Sequence, residues 1–128
     1  MNFLKLFSRK LIFLIALIAL FSCDKTFTHQ RFVKNNSNDT ITVVNPDFDS
    51  LYYIMPGNEK LIYSFKSLDR DQESEPCRWL GDTLIIKTIH DTVCTKSPLI
   101  EAHWTSSITP VKDGKIQKCT FSVENSDF

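Results

Sequence analysis

The sequence predicts an all-β fold: a single small antiparallel β-sandwich, or a small barrel, of about seven strands. Three observations predict it. Past Lys25 the apolar residues recur with period two and not 3.6. Turn-forming residues (the Asn/Ser/Asp run at 35–39, Pro56-Gly57 and Asp113-Gly114) punctuate that pattern at short intervals. A length of 128 residues allows one domain, and 42% hydrophobic with 23% charged residues is ordinary for a folded globular chain.

Each element follows from the residues in turn. Residues 28–34 and 40–44 flank the polar loop 35–39 and read as a hairpin, with Ile41 and Val43 facing inward. Residues 51–55 and 60–65 flank Pro56-Gly57, where Pro fixes φ for the second position of a type II turn and Gly takes the positive φ of the third. This reads as a second hairpin, with Leu61, Tyr63 and Phe65 on one face. The stretch 67–76 carries Asp69, Asp71, Glu73 and Glu75 and has no apolar residue after Leu68. It lacks the glycine that an EF-hand calcium loop needs at its sixth position, so it reads as a solvated loop. Asp47-Phe48-Asp49 is read the same way. Residues 83–89 (TLIIKTI) form a more continuous apolar run, which predicts a central strand covered on both faces. Ile100, Ala102, Trp104 and Ile108 then alternate with Glu101, His103, Thr105, Ser107 and Thr109. Asp113-Gly114 supplies a tight turn, and Cys119, Phe121 and Val123 return on one face. Ile116 falls out of phase with that face, which predicts a bulge near the turn. Trp104 lies between Cys94 and Cys119 at far shorter spacing than in true immunoglobulin domains, so the sandwich is expected to be immunoglobulin-like in architecture alone.

The first 22 residues belong to a different logic. Lys5, Arg9 and Lys10 precede an unbroken apolar run from 11 to 21, with no acidic residue before it. A basic flank followed by a core of this length is the build of a secretory signal peptide, and the run is short for a bilayer span. Leu20-Phe21-Ser22-Cys23 resembles the lipobox of bacterial lipoproteins, with Leu three residues before a cysteine and a small residue directly before it. The resemblance implies a helical signal peptide at 1–22, lipid on Cys23 as the first residue of the mature chain, a short lipidated tether at 23–27, and a β domain at 28–128. The Phe/Ile/Asn/Lys/Ser-rich usage, taken with the lipobox, resembles that of small lipoproteins of Bacteroidota. The implied address is the cell envelope, anchored to the outer membrane and facing the periplasm or the surface. More than one acyl chain (palmitate or its kin) is needed for a stable anchor. Cleavage removes three of the 15 basic residues and none of the 15 acidic ones, so the mature chain carries a net charge of −3. That balance argues against nucleic acid as a partner.

With Cys23 consumed by lipid, Cys77, Cys94 and Cys119 remain in a compartment that permits disulfides. Two of the three are expected to pair, and the sequence leaves open which two. No C-x-x-C or H-x-x-x-H spacing points to a metal, and no Gly-rich phosphate loop or G-x-S-x-G accompanies only three glycines. His29, His90 and His103 are dispersed, with His103 on the polar face of its strand. Asp39-Thr40-Ile41, Asp49-Ser50-Leu51, Asp82-Thr83-Leu84 and Asp91-Thr92-Val93 each run acid, hydroxyl, aliphatic. This is similar to the O-glycosylation acceptor pattern of exported Bacteroidota proteins, which makes Thr40, Ser50, Thr83 and Thr92 candidate acceptors. Turn and strand chemistry alone produces the same pattern.

The expectation is therefore a membrane-anchored envelope lipoprotein with no catalytic motif, cofactor or metal. Its β domain would bind or scaffold another envelope component, protein or glycan. Two readings compete with it: a small periplasmic inhibitor or immunity protein, and a thiol-dependent enzyme that would need a reactive Cys77, Cys94 or Cys119. An exposed aromatic patch at residues such as Tyr52, Trp79 or Phe128 would favour the binding module.

Overall fold

The computed structural model describes residues 25–68 and 75–128. The expected signal segment, Cys23 and most of the acidic stretch, including Asp69, Asp71 and Glu73, lie outside the described residues. Two sheets pack face to face, and together they contain the seven strands the sequence predicts; neither closes into a barrel. One sheet is formed by β4 (Glu59–Leu68), β1 (Thr26–Asn35), β7 (Gly114–Val123) and β6 (Trp104–Val111), in that order. The other is β3 (Ser50–Ile54), β2 (Ile41–Asn45) and β5 (Ile85–Thr88).

The centre of the larger sheet is a parallel pair within an otherwise antiparallel fold. β1 runs beside β7 over ten residues, from Thr26 opposite Gly114 to Asn35 opposite Val123. β1 alternates throughout and β7 from Gln117 onward, and their inward sets are Phe27, His29, Arg31, Val33 and Asn35 on β1 and Gln117, Cys119, Phe121 and Val123 on β7. Across the sandwich they meet Ile41, Val43, Ile54 and Ile86, and Trp79, Leu84 and Trp104 complete the core. At about 25 cal/mol per Å² of apolar surface removed from water, such burial is the main driving force for the fold.

The β6–β7 hairpin forms as expected, in unbroken register from Trp104 opposite Phe121 to Val111 opposite Gly114. No bulge accompanies Ile116. Gln117 instead takes the inward position, because its amide finds partners there: Nε2 donates to the Glu75 carbonyl (2.8 Å) and the Ser106 hydroxyl (3.3 Å), and Oε1 pairs with His29 Nδ1 (2.8 Å). A register shift does occur between Arg31 and Phe32 on β1 and Tyr63 and Leu61 on β4. It turns Ile62 into the core and leaves Leu61 exposed, with Tyr63 and Phe65 half-buried beyond it. The Glu101–His103 segment is a single turn of 3-10 helix, so the last hairpin begins at Trp104, and Ile108 is exposed.

The other two expected hairpins are corrected. The Pro56-Gly57 turn is present, with Gly57 at φ 79° and Asn58 N–H donating to the Met55 carbonyl (3.1 Å). It carries the chain from β3 in one sheet to β4 in the other. The 35–40 loop likewise crosses between sheets. Asn35 holds that end together: its Nδ2 donates to the carbonyls of Asp39 (2.7 Å) and Ile54 (2.9 Å), and its Oδ1 accepts from Ser37. β2 pairs instead with β3 and β5. β5 is an edge strand and not a central one, and Ile85 and Ile89 are exposed on it and just after it.

Candidate functional site

The cysteines sort themselves first. Cys77 and Cys119 form a disulfide across 42 positions of sequence, with Cα atoms 5.5 Å apart, which ties the 75–82 segment to the central strand β7. Arg31, fully buried on β1, reinforces the tie. Its Nη2 donates to the Pro76 carbonyl (3.1 Å), its Nε to the Arg78 carbonyl (3.2 Å) and its Nη1 to Cys119 Sγ (3.2 Å). Burial lowers the guanidinium pKa, opposed by the charge of Glu75 and by Tyr63. The Trp79 backbone N–H donates to the Pro98 carbonyl (2.8 Å) and fixes the far end of the segment.

Cys94 is free and half-buried, and burial pushes its thiol up from the ordinary range, with the Asp127 carboxylate adding to the shift. A nucleophilic cysteine needs the opposite setting. His29 is not a dispersed surface residue. It is stacked between Phe27 and Phe65 at 4.6 and 4.5 Å, and its second nitrogen meets the Ser67 hydroxyl at 3.0 Å. Since Gln117 Oε1 can only accept, the histidine carries its proton on Nδ1. His103 Nδ1 meets the Ser97 carbonyl (2.8 Å), and His90 lies in an exposed turn. The histidines and thiols are not brought together, and among the described residues no cluster of metal-ligating side chains forms.

The candidate acceptors separate by exposure. Thr83 and Thr92 are exposed in loops, whereas Thr40 and Ser50 are half-buried, and the Ser50 hydroxyl donates to the Phe48 carbonyl (3.0 Å). Tyr52 and Phe128 pack against the core, and Trp79 is buried, so none of the three forms an exposed patch.

Trp79 nonetheless borders a cleft of about 300 Å³. Three segments build it. After β2, Pro46 opens one turn of 3-10 helix, which Asp49 ends in a left-handed conformation at φ 48°. The turn swings Phe48 out, 55% exposed, against Tyr63 of β4 with ring centroids 5.1 Å apart. Tyr63 in turn meets Trp79 edge-on at 5.9 Å. Asp47 from the first segment and Asp82 from the third add two exposed carboxylates to the lining, with Leu80 and Gly81 between the walls. Gly81 is required here: a Cβ at that position would stand 2.0 Å from Asp47 Oδ2 and 2.7 Å from Trp79 Nε1.

The polar accounting around this cleft is incomplete. Among the described residues, the buried side-chain polar atoms without a partner are Trp79 Nε1 and both Asn45 Oδ1 and Nδ2. Of these, Trp79 lines the cleft, whereas Asn45 ends β2 and is not part of its lining. Trp104, by comparison, donates its Nε1 to the Pro98 carbonyl (2.8 Å). An unpaired buried donor costs about 1–3 kcal/mol, and in a native fold such atoms mark a place where a water or ligand belongs. The sequence pattern offered no view of this site, because Asp47-Phe48, Tyr63 and Trp79–Asp82 are remote in the chain.

No protein-family model, no curated protein and no solved structure matches the chain.

Proposed function

We propose that the chain is a lipid-anchored envelope protein, tethered through an acylated Cys23, whose β-sandwich is a non-catalytic binding module for another envelope component. The observation that carries the binding half is the Phe48–Tyr63–Trp79 cleft, open to solvent, bordered by two carboxylates and left with an unpaired indole N–H. Convergent polar groups in an aromatic concavity are the usual makeup of a recognition site. The scaffold beneath it is preorganised by the Cys77–Cys119 bridge and by Arg31, which favours affinity by reducing the ordering cost of binding. Cys94, whose thiol is held protonated by burial, lends no support to a thiol-dependent activity. The anchoring half rests on the lipobox-like Leu20-Phe21-Ser22-Cys23.

Two measurements test the halves separately. Labelled palmitate should enter the wild-type chain and not Cys23→Ala, and globomycin should cause precursor to accumulate; a processed, unlabelled wild type refutes the anchor. A photo-crosslinking amino acid at position 48 should capture an adduct in living cells, and the same group at exposed position 108 should not. Equal yields at both positions refute the cleft as the binding site.

A further inference from the structure

From the hydrogen-bonding deficit of the cleft, we infer that its ligand is a neutral sugar unit at the end or side branch of a glycan. This inference rests on the reading of the cleft as the binding site and names what it takes.

The chemistry follows from what the walls offer and lack. Trp79 is 3% exposed and its buried Nε1–H has no partner within hydrogen-bond range, with the Asp47 carboxylate beside it, so a ligand that accepts from the indole, or orders Asp47 to do so, would satisfy it. Asp47 and Asp82 are acceptors only when ionised, so the ligand must also donate. Phe48 and Tyr63 present apolar ring surface, so the ligand needs an apolar face beside those polar groups. A sugar ring meets all three demands at once: each hydroxyl both donates and accepts, and the ring C–H bonds form an apolar face that stacks on aromatic rings. A volume of about 300 Å³ suits a terminal sugar unit and is too small for an extended chain.

The competing ligand chemistries fit less well. An organic cation would be drawn by the carboxylates and by the aromatic faces, but it brings no acceptor for the indole N–H. A cationic group also already serves this aromatic cluster from behind, since the Arg31 guanidinium lies 5.9 Å from the centre of the Phe65 ring, which neighbours Tyr63 at 5.7 Å. An acidic sugar would place its carboxylate beside Asp47 and Asp82, and like charges at such range repel. Neutral hexoses and N-acetylhexosamines remain.

The test uses the full chain, expressed with its signal segment and purified in detergent. Its two tryptophans report binding by fluorescence, with calorimetry as a second readout. The probes are maltotriose, mannotriose, lactose and chitotriose, with trigalacturonate and tetramethylammonium chloride as the acidic and cationic comparisons. At least one neutral probe should give a saturable change, and the acidic and cationic ones should give none. Phe48→Ala and Asp82→Asn alter exposed side chains, so they should leave the melting midpoint in place while each weakens binding about tenfold, the worth of a lost charge-assisted hydrogen bond or stacking contact. Saturable binding of tetramethylammonium alone overturns the inference in favour of a cationic ligand. Silence from every probe overturns it in favour of water at the Trp79 N–H, and sugar binding indifferent to both variants places the sugar elsewhere. A cellular adduct at position 48 without sugar binding would remove the glycan class and keep the cleft; loss of both results removes both.

Discussion

Opening the Cys77–Cys119 bridge is expected to cost the domain about 4 kcal/mol, and the reason lies in the unfolded chain more than in the folded one. The bridge spans 42 positions. Closing a loop of that length removes about 13 cal/mol/K of denatured-state entropy, or about 4 kcal/mol at 25 °C. A domain of roughly 100 residues has about 5–15 kcal/mol of total stability, so the reduced protein should still fold, with a much smaller margin. The assay is urea unfolding followed by tryptophan fluorescence, comparing oxidised protein with protein unfolded and refolded in reductant. The midpoint should fall, and the slope should rise because the reduced unfolded chain exposes more surface. Cys77→Ala removes the loop constraint together with one weak contact, since Gln117 Nε2 donates to Cys77 Sγ at 3.7 Å. Cys119→Ala adds a second penalty of about 1–3 kcal/mol, since Cys119 Sγ also accepts from the buried Arg31 (3.2 Å). A loss below about 1 kcal/mol on reduction, or equal losses for the two variants, would refute this reasoning.

Other perturbations test separate parts of the structure. Gly114 has φ 146° and faces the Thr26 backbone, where a Cβ would stand 1.7 Å from the carbonyl oxygen; Gly114→Ala should therefore lower stability by about 1–3 kcal/mol, read as a drop in melting midpoint. Because burial raises the Cys94 pKa above its unfolded value, the associated stability is fully present below the unfolded pKa and fades as pH climbs through the folded one. At mildly alkaline pH, iodoacetamide should consequently alkylate Cys94 far more slowly in the folded chain than in urea, and equal rates would contradict the assigned burial. If Cys23 is acylated, only two residues separate the lipid from Thr26, whose N–H donates to the Asp113 carbonyl (2.9 Å). That tether reaches about 10 Å at full extension, so a fluorophore at position 112 should be quenched by headgroup-labelled lipid much more than one at position 58.

The sequence reveals local geometry well and partnership poorly. Asp113-Gly114 marks its hairpin, since β6 and β7 are neighbours in the chain and in the sheet, although the turn falls on Lys112-Asp113 and Gly114 opens β7 with φ 146°. Pro56-Gly57 specifies an equally good turn, but turn chemistry is silent about whether the strands it joins share a sheet, and here they do not. β1 finds its partners in β4 and β7, both distant in sequence. The bulge expected at Ile116 came from assuming that inward positions are apolar; Gln117, His29, Arg31 and Asn35 break that assumption because each finds buried partners. An odd count of thiols implied one bridge, while the identity of the pair required a fold that sets Cys77 against β7. The cleft was illegible for the same reason, being assembled from three segments whose meeting depends on the bulge that turns Tyr63 and on the bridge that holds Trp79.

The pairing of β1 with β7 also dictates when this protein can fold. β1 lies beside β7 over ten residues, although the paired residues stand 88 positions apart in the chain. Until residues 114–123 exist, His29 lacks Gln117 and Arg31 lacks Cys119. β4 alone cannot complete a sheet, because an isolated strand pair is marginal in water. The β1–β4 pair therefore waits on β7 before the larger sheet can close. Contacts this far apart in sequence also close slowly. A fold whose central strand β1 waits on β7 carries a timer in its topology, and the Cys77–Cys119 bridge, which ends on that same strand, locks the sheet once it has closed.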